Sequence, residues 1–159
     1  EEGLHVPLVY NSGGYDSVET LRLAEGIFDI YMPDAKYGSN EPALKYSNAT
    51  NYVGIMKAAI KEMHRQVGDL AIDENGIAVR GLLVRHLVLP EGIAGTAKVV
   101  QFLSQEISKN TYLNVMAQFR PEYNACRFPE LDRPITGREY AEALRLAAQA
   151  GLARGLAIL

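Results

Sequence analysis

The sequence predicts an α/β fold with a parallel sheet and helices packed outside it. Short apolar runs alternate four times with segments of helical periodicity along the 159 residues. Such alternation of strands and helices is typical of parallel sheets. Apolar residues make up 48% of the chain, which is enough for a sizeable core. The length suits a single domain over residues 1–159.

The first half of the chain contains two predicted strands. HVPLVYN, residues 5–11, is the first, and it ends at the turn SGG. Asp16 then starts a helix, because Glu19 three residues later resembles the second half of a capping box. IFDIYM, residues 27–32, is the second strand. Two helical segments follow it, over residues 42–46 and 51–67.

The second half begins with an inserted hairpin. Asn75-Gly76 lies between short apolar stretches, which is a strong signal for a tight β-turn. The third strand of the main sheet is then GLLVRHLVLP, residues 81–90. A helix from Thr96 to Ile107 and the fourth strand, YLNVMAQFRP over residues 112–121, complete the alternation.

One more helix follows an irregular stretch rich in proline and arginine. Thr136 and Glu139 have the spacing of a capping box, so we expect the helix to begin there. Gly151 is expected to end it, because glycine adopts the left-handed conformation that commonly follows a helix.

The composition argues against several classes of protein. A net charge of −3 without a Lys/Arg cluster gives no support for nucleic-acid binding. No run of about 18 apolar residues is present to cross a membrane. The single Cys126 excludes an internal disulfide and a multi-cysteine metal site within this chain, and its unpaired thiol suits the cytoplasm. The start shows neither Met nor a signal peptide, so we expect a piece of a longer protein.

Polar side chains cluster at the carboxyl ends of the predicted strands, where parallel βα proteins bind their ligands. Alternation along the third strand places Arg85 among leucines on one face and turns His86 toward the helices. Arg85 then needs an anionic partner, because an unpaired buried charge is strongly destabilising. The predicted ligand site consists of Asn11, Ser12, Asp34, Lys36, Arg85, Gln118 and Arg120.

Each part of this site also has a simpler structural interpretation. NSGG could be only a turn, and Asp34 with Lys36 could be a solvated pair in a loop. Arg85 could serve only a structural ion pair. Cys126 has no catalytic base placed near it by the sequence, so we assign it no catalytic role.

Four motifs together resemble a known family. YNSGGY, MPDAK, VRHLVLPEG and VMAQFRP, in this order and spacing, resemble the later strands of radical S-adenosylmethionine (SAM) enzymes, and above all the pyruvate formate-lyase activating enzyme group. The resemblance extends from the first strand to about Pro121. It implies a partial TIM-like (β/α) barrel of about four parallel βα units, equivalent to the third to sixth strands of a (β/α)6 barrel, with a small inserted hairpin.

The cluster-binding elements of that family are not in this sequence. The family holds its [4Fe-4S] cluster with a Cys-x3-Cys-x2-Cys loop and binds the SAM amino group with a Gly-Gly-Glu-like turn. One cysteine cannot supply three thiolates. The resemblance therefore implies a C-terminal portion that is separated from the cluster-binding half and holds no metal cluster itself.

The resemblance also assigns roles to the second-strand motif. Lys36 would pair with the SAM carboxylate, for which a lysine ammonium is a suitable compact charge. Met32 and Asp34 would line a monovalent cation site beside it. Asn11 and Ser12 stand where the activating enzymes tend to have Asp and Thr, which weakens the case for the cation.

The last two strands carry the other implied SAM contacts. Arg85 matches a family arginine near SAM. Activating enzymes end their last strand with a histidine that meets the ribose, and Gln118 and Arg120 are the nearest residues here.

The implied function is that of the intact parent protein, a cytoplasmic oxidoreductase. Its reduced cluster would cleave SAM to a 5′-deoxyadenosyl radical, and the radical would abstract a hydrogen atom, with a glycyl radical enzyme as one potential partner. This chain alone is expected to be inactive. Two rival interpretations are a Schiff-base aldolase-like enzyme with Lys36 as nucleophile, and a non-catalytic domain that binds an anionic metabolite.

The missing half implies that the chain associates with itself. The first strand would lack a neighbour on its outer edge, and only His5 and Pro7 interrupt its apolar residues. One face of the sheet would also lose its cover. We expect a two-fold dimer that buries this edge or the uncovered side chains, which are Met32, Leu83, Leu87 and Met116.

Overall fold

A parallel sheet organises the part of the chain that the computed structural model describes, which is residue 3 and residues 6–156. Strands β1, β2, β4 and β5 are adjacent in that order and pair in parallel, whereas β3 pairs antiparallel with the start of β4. The predicted α/β class and the parallel order are confirmed. The strands are β1 Val9–Ser12, β2 Ile30–Pro33, β3 Ala71–Ile72, β4 Ala78–Leu87 and β5 Tyr112–Met116.

The described residues form five α-helices between and after these strands: α1 Val18–Leu23, α2 Asn40–Ser47, α3 Tyr52–Val67, α4 Thr96–Phe102 and α5 Gly137–Gln149. A π-helical turn, Leu103–Ile107, extends α4 to the predicted end. Short 3₁₀ turns lie at Pro90–Gly92, Ala125–Arg127 and Pro129–Leu131. Within residues 6–156, no helix is long and apolar enough to cross a membrane.

The helix starts show where local sequence signals decide the structure. At α5, the Thr136 hydroxyl accepts a hydrogen bond from the Glu139 amide, and the Glu139 carboxylate accepts one from the Thr136 amide, as predicted. At α1, the cap is Ser17 rather than Asp16. The prediction for Asp16 was wrong because its carboxylate accepts hydrogen bonds from two residues of β1, Tyr10 and Ser12.

Strand boundaries differ from the predicted ones. β1 begins at Val9, and His5 lies outside the described residues. β4 continues directly out of the hairpin, whose turn spans residues 73–76: the Gly76 amide donates to the Asp73 carbonyl at 3.1 Å, and Gly76 has a φ of 81°. β5 ends at Met116, so Gln118 and Arg120 lie in the following loop.

The two faces of the sheet have different surroundings. On one face, strand residues pack into the core with the helices; these are Tyr31, Leu82, Val84, Leu113 and Val115. On the other face, which we call the open face, most of the alternate residues remain partly or fully exposed; these are Asn11, Met32, Leu83, Arg85, Leu87, Asn114 and Met116. A two-layer arrangement of this kind is consistent with a partial barrel, which stays a prediction.

The C-terminal segment after α5, for which the sequence predicted no structure, lies along β5. Leu152 is fully buried, and the Leu113 amide donates to the Arg154 carbonyl at 3.1 Å. The Arg154 guanidinium also donates to the Leu70 carbonyl at 2.7 Å. The segment therefore ties β5 to the loop before β3.

Candidate functional site

An ion pair joins the carboxyl ends of the parallel strands. Arg85, on the open face of β4, donates from Nε to Asp34 Oδ1 at 2.8 Å, and its Nη2 lies 2.7 Å from the same oxygen. The same Nη2 donates to Asn11 Oδ1 at 2.8 Å. Asp34 is therefore the anionic partner that Arg85 was expected to need. The pair connects β1, the end of β2 and β4.

Lys36 lies beside this pair and is held loosely. Its Nζ is 3.6 Å from Asp34 Oδ2, which is longer than a good hydrogen bond, and 46% of its side chain is exposed. Water screens an ion pair of this kind, so its contribution to stability is small. The ammonium therefore remains available to a ligand at the mouth of β2.

The predicted monovalent cation site at Met32 and Asp34 does not fit this arrangement. Asp34 Oδ1 faces the Arg85 guanidinium, and Oδ2 faces the Lys36 ammonium. A metal cation at Asp34 would compete with both. Among the described residues, no group of three His, Cys, Asp or Glu side chains could hold a metal ion.

The backbone of residues 34–36 is held by hydrogen bonds from three directions. The Asp34 amide donates to the Ser12 carbonyl at 3.1 Å, and the Ala35 amide donates to the Arg85 carbonyl at 2.8 Å. The Lys36 amide donates to the Tyr52 hydroxyl at 2.8 Å, and that hydroxyl donates to the Asp34 carbonyl at 3.4 Å. Burial raises the pKa of Tyr52 to about 12, so its hydroxyl keeps its proton.

The NSGG turn packs directly against this segment. Gly14 has a φ of 73°, and a Cβ at that position would lie 2.2 Å from the Asp34 carbonyl oxygen. The ring of Tyr15 stacks on that of Tyr52, with the ring centres 5.9 Å apart. Gly14 of the turn therefore packs against the Asp34 backbone, and Tyr15, the next residue, packs against Tyr52.

Ser12 points away from the open face. Its hydroxyl donates to Asp16 at 2.7 Å and accepts from the Gly14 amide at 3.2 Å. Asn11, its neighbour in β1, reaches the site through its bond with Arg85. Alternation along β1 explains the difference, because successive side chains leave a strand on opposite faces.

One cleft of about 560 Å³ contains most of the predicted residues. A cavity of similar size, about 590 Å³, lies between α2, α4 and α5 and contains no predicted site residue. The predicted polar side chains therefore favour the cleft of about 560 Å³ as the ligand site. Its lining consists of Asp34, Lys36, Arg85, Leu87, Met116, Gln118, Phe119, Arg120, Glu122 and Ala125.

The loop after β5 contributes cleft residues that the sequence did not indicate. Alternation continued along residues 112–121 would place Phe119 on the helix side with Leu113 and Val115, but β5 ends at Met116, so the alternation no longer applies. Glu122 and Ala125 belong to the irregular stretch, which has no periodicity from which a direction could be predicted. The only signal was their position after a strand that carries polar residues at its end.

Comparison with known proteins shows that the chain is similar to part of a longer protein. No family model matches the chain, and no solved structure matches it. The chain is 35% identical over 144 residues to Uncharacterized protein MJ0674 of Methanocaldococcus jannaschii. The match covers 90% of this chain but 38% of the relative, so the chain spans well under half the length of that protein.

Proposed function

We propose that the chain is the C-terminal, SAM-facing part of a cytoplasmic radical SAM iron–sulfur protein that resembles the pyruvate formate-lyase activating enzymes. The main support is the position of Asp34, Lys36 and Arg85 in one cleft at the carboxyl end of a parallel sheet. The partial coverage of a longer relative is compatible with a separate cluster-binding half. Activation of a glycyl radical enzyme is part of the same proposal.

The residues of the cleft fit SAM. Lys36 presents an exposed ammonium that would hold the carboxylate, and Gln118 can hydrogen-bond a ribose hydroxyl. Leu87 and Met116 supply an apolar wall. The volume lies within the range of about 300 to 1,000 Å³ that is common for small-molecule sites.

The chain does not fit the cluster. Its one cysteine, Cys126, is exposed in a 3₁₀ turn. When bound, the cluster and SAM would supply the radical chemistry, and the residues of this chain would bind and orient SAM. The isolated chain is therefore expected to be inactive and to bind SAM weakly or not at all.

Among the described residues, no specific contact supports either rival interpretation, the Schiff-base enzyme or the anionic-metabolite domain. A Schiff-base lysine is typically activated in an apolar pocket, whereas 46% of the Lys36 side chain is exposed and its Nζ lies 3.6 Å from the Asp34 carboxylate. Trapping of a carbonyl compound on Lys36 by borohydride would support that rival. An anionic-metabolite domain would use the same lysine, and it differs in that its parent protein would not cleave SAM.

Lys36→Ala in the intact parent is expected to weaken SAM binding by about 10- to 100-fold, because a charge-assisted hydrogen bond to a carboxylate is lost. SAM cleavage should slow as well. Calorimetry and chromatographic detection of 5′-deoxyadenosine would measure the two effects. Lys109→Ala is the matched control, because Lys109 is exposed and precedes β5 at the opposite end of the strands. An unchanged affinity in Lys36→Ala would remove the assigned role.

Self-association of the isolated chain also remains a prediction. In the described part of the chain, β1 pairs on one side only, with β2. Val6, Leu8 and Val9 are substantially exposed beside that edge. Sedimentation velocity at low micromolar concentration should show a dimer, and Val9→Lys should shift it toward monomer, because a charge on an edge strand opposes pairing. A single monomer peak that is unchanged on dilution would contradict the prediction.

A further inference from the structure

His86 is a fully buried histidine for which the proposed function provides no role. It follows Arg85 in β4, so the two side chains leave the strand on opposite faces. Arg85 holds the Asp34 carboxylate on the open face. On the helix face, His86 Nδ1 lies 2.6 Å from the Ala35 carbonyl oxygen. Consecutive residues of β4 therefore hold consecutive residues of the 34–36 segment.

The hydrogen-bond partners determine the tautomer of His86. A carbonyl oxygen only accepts, so Nδ1 carries the proton and donates to Ala35. In the neutral ring, Nε2 then accepts from the Thr96 hydroxyl, which is 2.9 Å away at the start of α4. Burial lowers the pKa of His86, which agrees with a neutral ring.

Two side chains hold the same peptide group. The Ala35 carbonyl and the Lys36 amide belong to one rigid peptide plane. His86 donates to the carbonyl end, and the Tyr52 hydroxyl accepts from the amide end. Rotation of that plane would change the direction in which the Lys36 side chain leaves the backbone. Without His86, the buried Ala35 carbonyl would lack its side-chain donor, which favours such a rotation.

We propose that His86, oriented by Thr96, is a positioning residue that fixes the Ala35–Lys36 peptide and thereby aims Lys36 at the cleft. The role of His86 in fixing the Ala35–Lys36 peptide follows from contacts within this chain alone. Only the identity of the ligand that Lys36 meets rests on the proposed function.

Two substitutions at His86 can each keep one of its two hydrogen bonds and remove the other. An asparagine amide can donate from near the position of Nδ1, whereas a glutamine amide reaches the position of Nε2. His86→Asn should therefore keep the hydrogen bond to the Ala35 carbonyl and lose the one to Thr96. His86→Gln should keep the hydrogen bond to Thr96 and lose the one to the Ala35 carbonyl. In the 159-residue chain, we expect the Lys36 amide to exchange its hydrogen about tenfold faster in His86→Gln and at close to the original rate in His86→Asn.

The Met63 amide in α3 reports global opening and serves as the internal control. If hydrogen exchange in His86→Gln were accelerated equally at Met63 and Lys36, His86 would be only a stabilising core residue. That result would overturn the proposal. Equal acceleration at Lys36 in both variants would also overturn it. If neither variant folds, the ¹⁵N spectrum of His86 in the unmodified chain decides: a ring protonated at Nδ1 alone supports the proposal, and any other protonation state contradicts it.

Binding of SAM to the intact parent tests the consequence for the ligand. His86→Gln should raise the dissociation constant for SAM by about tenfold, and His86→Asn should leave it within about threefold. Similar losses in both variants would overturn the link between His86 and Lys36. A parent that does not bind SAM would refute the proposed function, while the exchange and ¹⁵N results would still decide whether His86 positions the peptide.

Discussion

Arg85→Met is expected to lower the free energy of unfolding by about 2 to 3 kcal/mol, because it leaves a mostly buried carboxylate without its main partner. Only 14% of the Asp34 side chain is exposed, and Lys36 at 3.6 Å is a poor substitute for the guanidinium. Asn11 Oδ1 loses its donor as well. Methionine retains most of the apolar stem, so the change isolates the charge. Urea unfolding of the 159-residue chain would measure the effect.

Two comparisons make this result specific. Arg80→Met removes an exposed arginine of the same strand, which donates to the Gln66 carbonyl, and should cost no more than about 1 kcal/mol. Asp34→Asn combined with Arg85→Met should cost at least about 1 kcal/mol less than the sum of the single changes, because their interaction is counted twice in that sum. Simple additivity would show that the Arg85–Asp34 pair contributes little to the fold.

Gly14→Ala is expected to destabilise the chain by about 2 to 4 kcal/mol, from a strained positive φ together with a steric clash. The added Cβ would lie 2.2 Å from the Asp34 carbonyl oxygen, a distance that the backbone cannot accommodate without moving. The displaced atom belongs to the segment that carries Lys36. Ligand binding should therefore fall together with stability.

Gly13→Ala is the matched control for Gly14→Ala. A Cβ at Gly13 would have no atom within 4 Å, and its φ lies outside the left-handed region. We expect a change within about 0.5 kcal/mol, which is typical of an exposed substitution. Equal unfolding midpoints for the two variants would mean that the turn yields freely and does not support Asp34.

The sequence by itself determined the features that depend on local patterns. The alternation of strand and helix periodicity was sufficient for the parallel order of β1, β2, β4 and β5. The capping box at Thr136 and the existence of a hairpin at Asn75-Gly76 were also predicted correctly, although its turn lies one residue earlier, over residues 73–76. Alternation along β4 was enough to place Arg85 and His86 on opposite faces. Each strand, helix start and turn in these predictions is indicated by residues that are close together in the sequence.

Only the tertiary structure decided which groups meet. Asp16 is bound to β1 and leaves the helix cap to Ser17. Arg85 and His86 each bind residues that are 51 positions away in the sequence. The path of the loop after β5, which brings Phe119 into the cleft, has no periodic signal either. Such contacts arise from the packing of whole strands and helices, and the hydrogen bonds between distant residues leave no local pattern in the sequence from which they could be predicted.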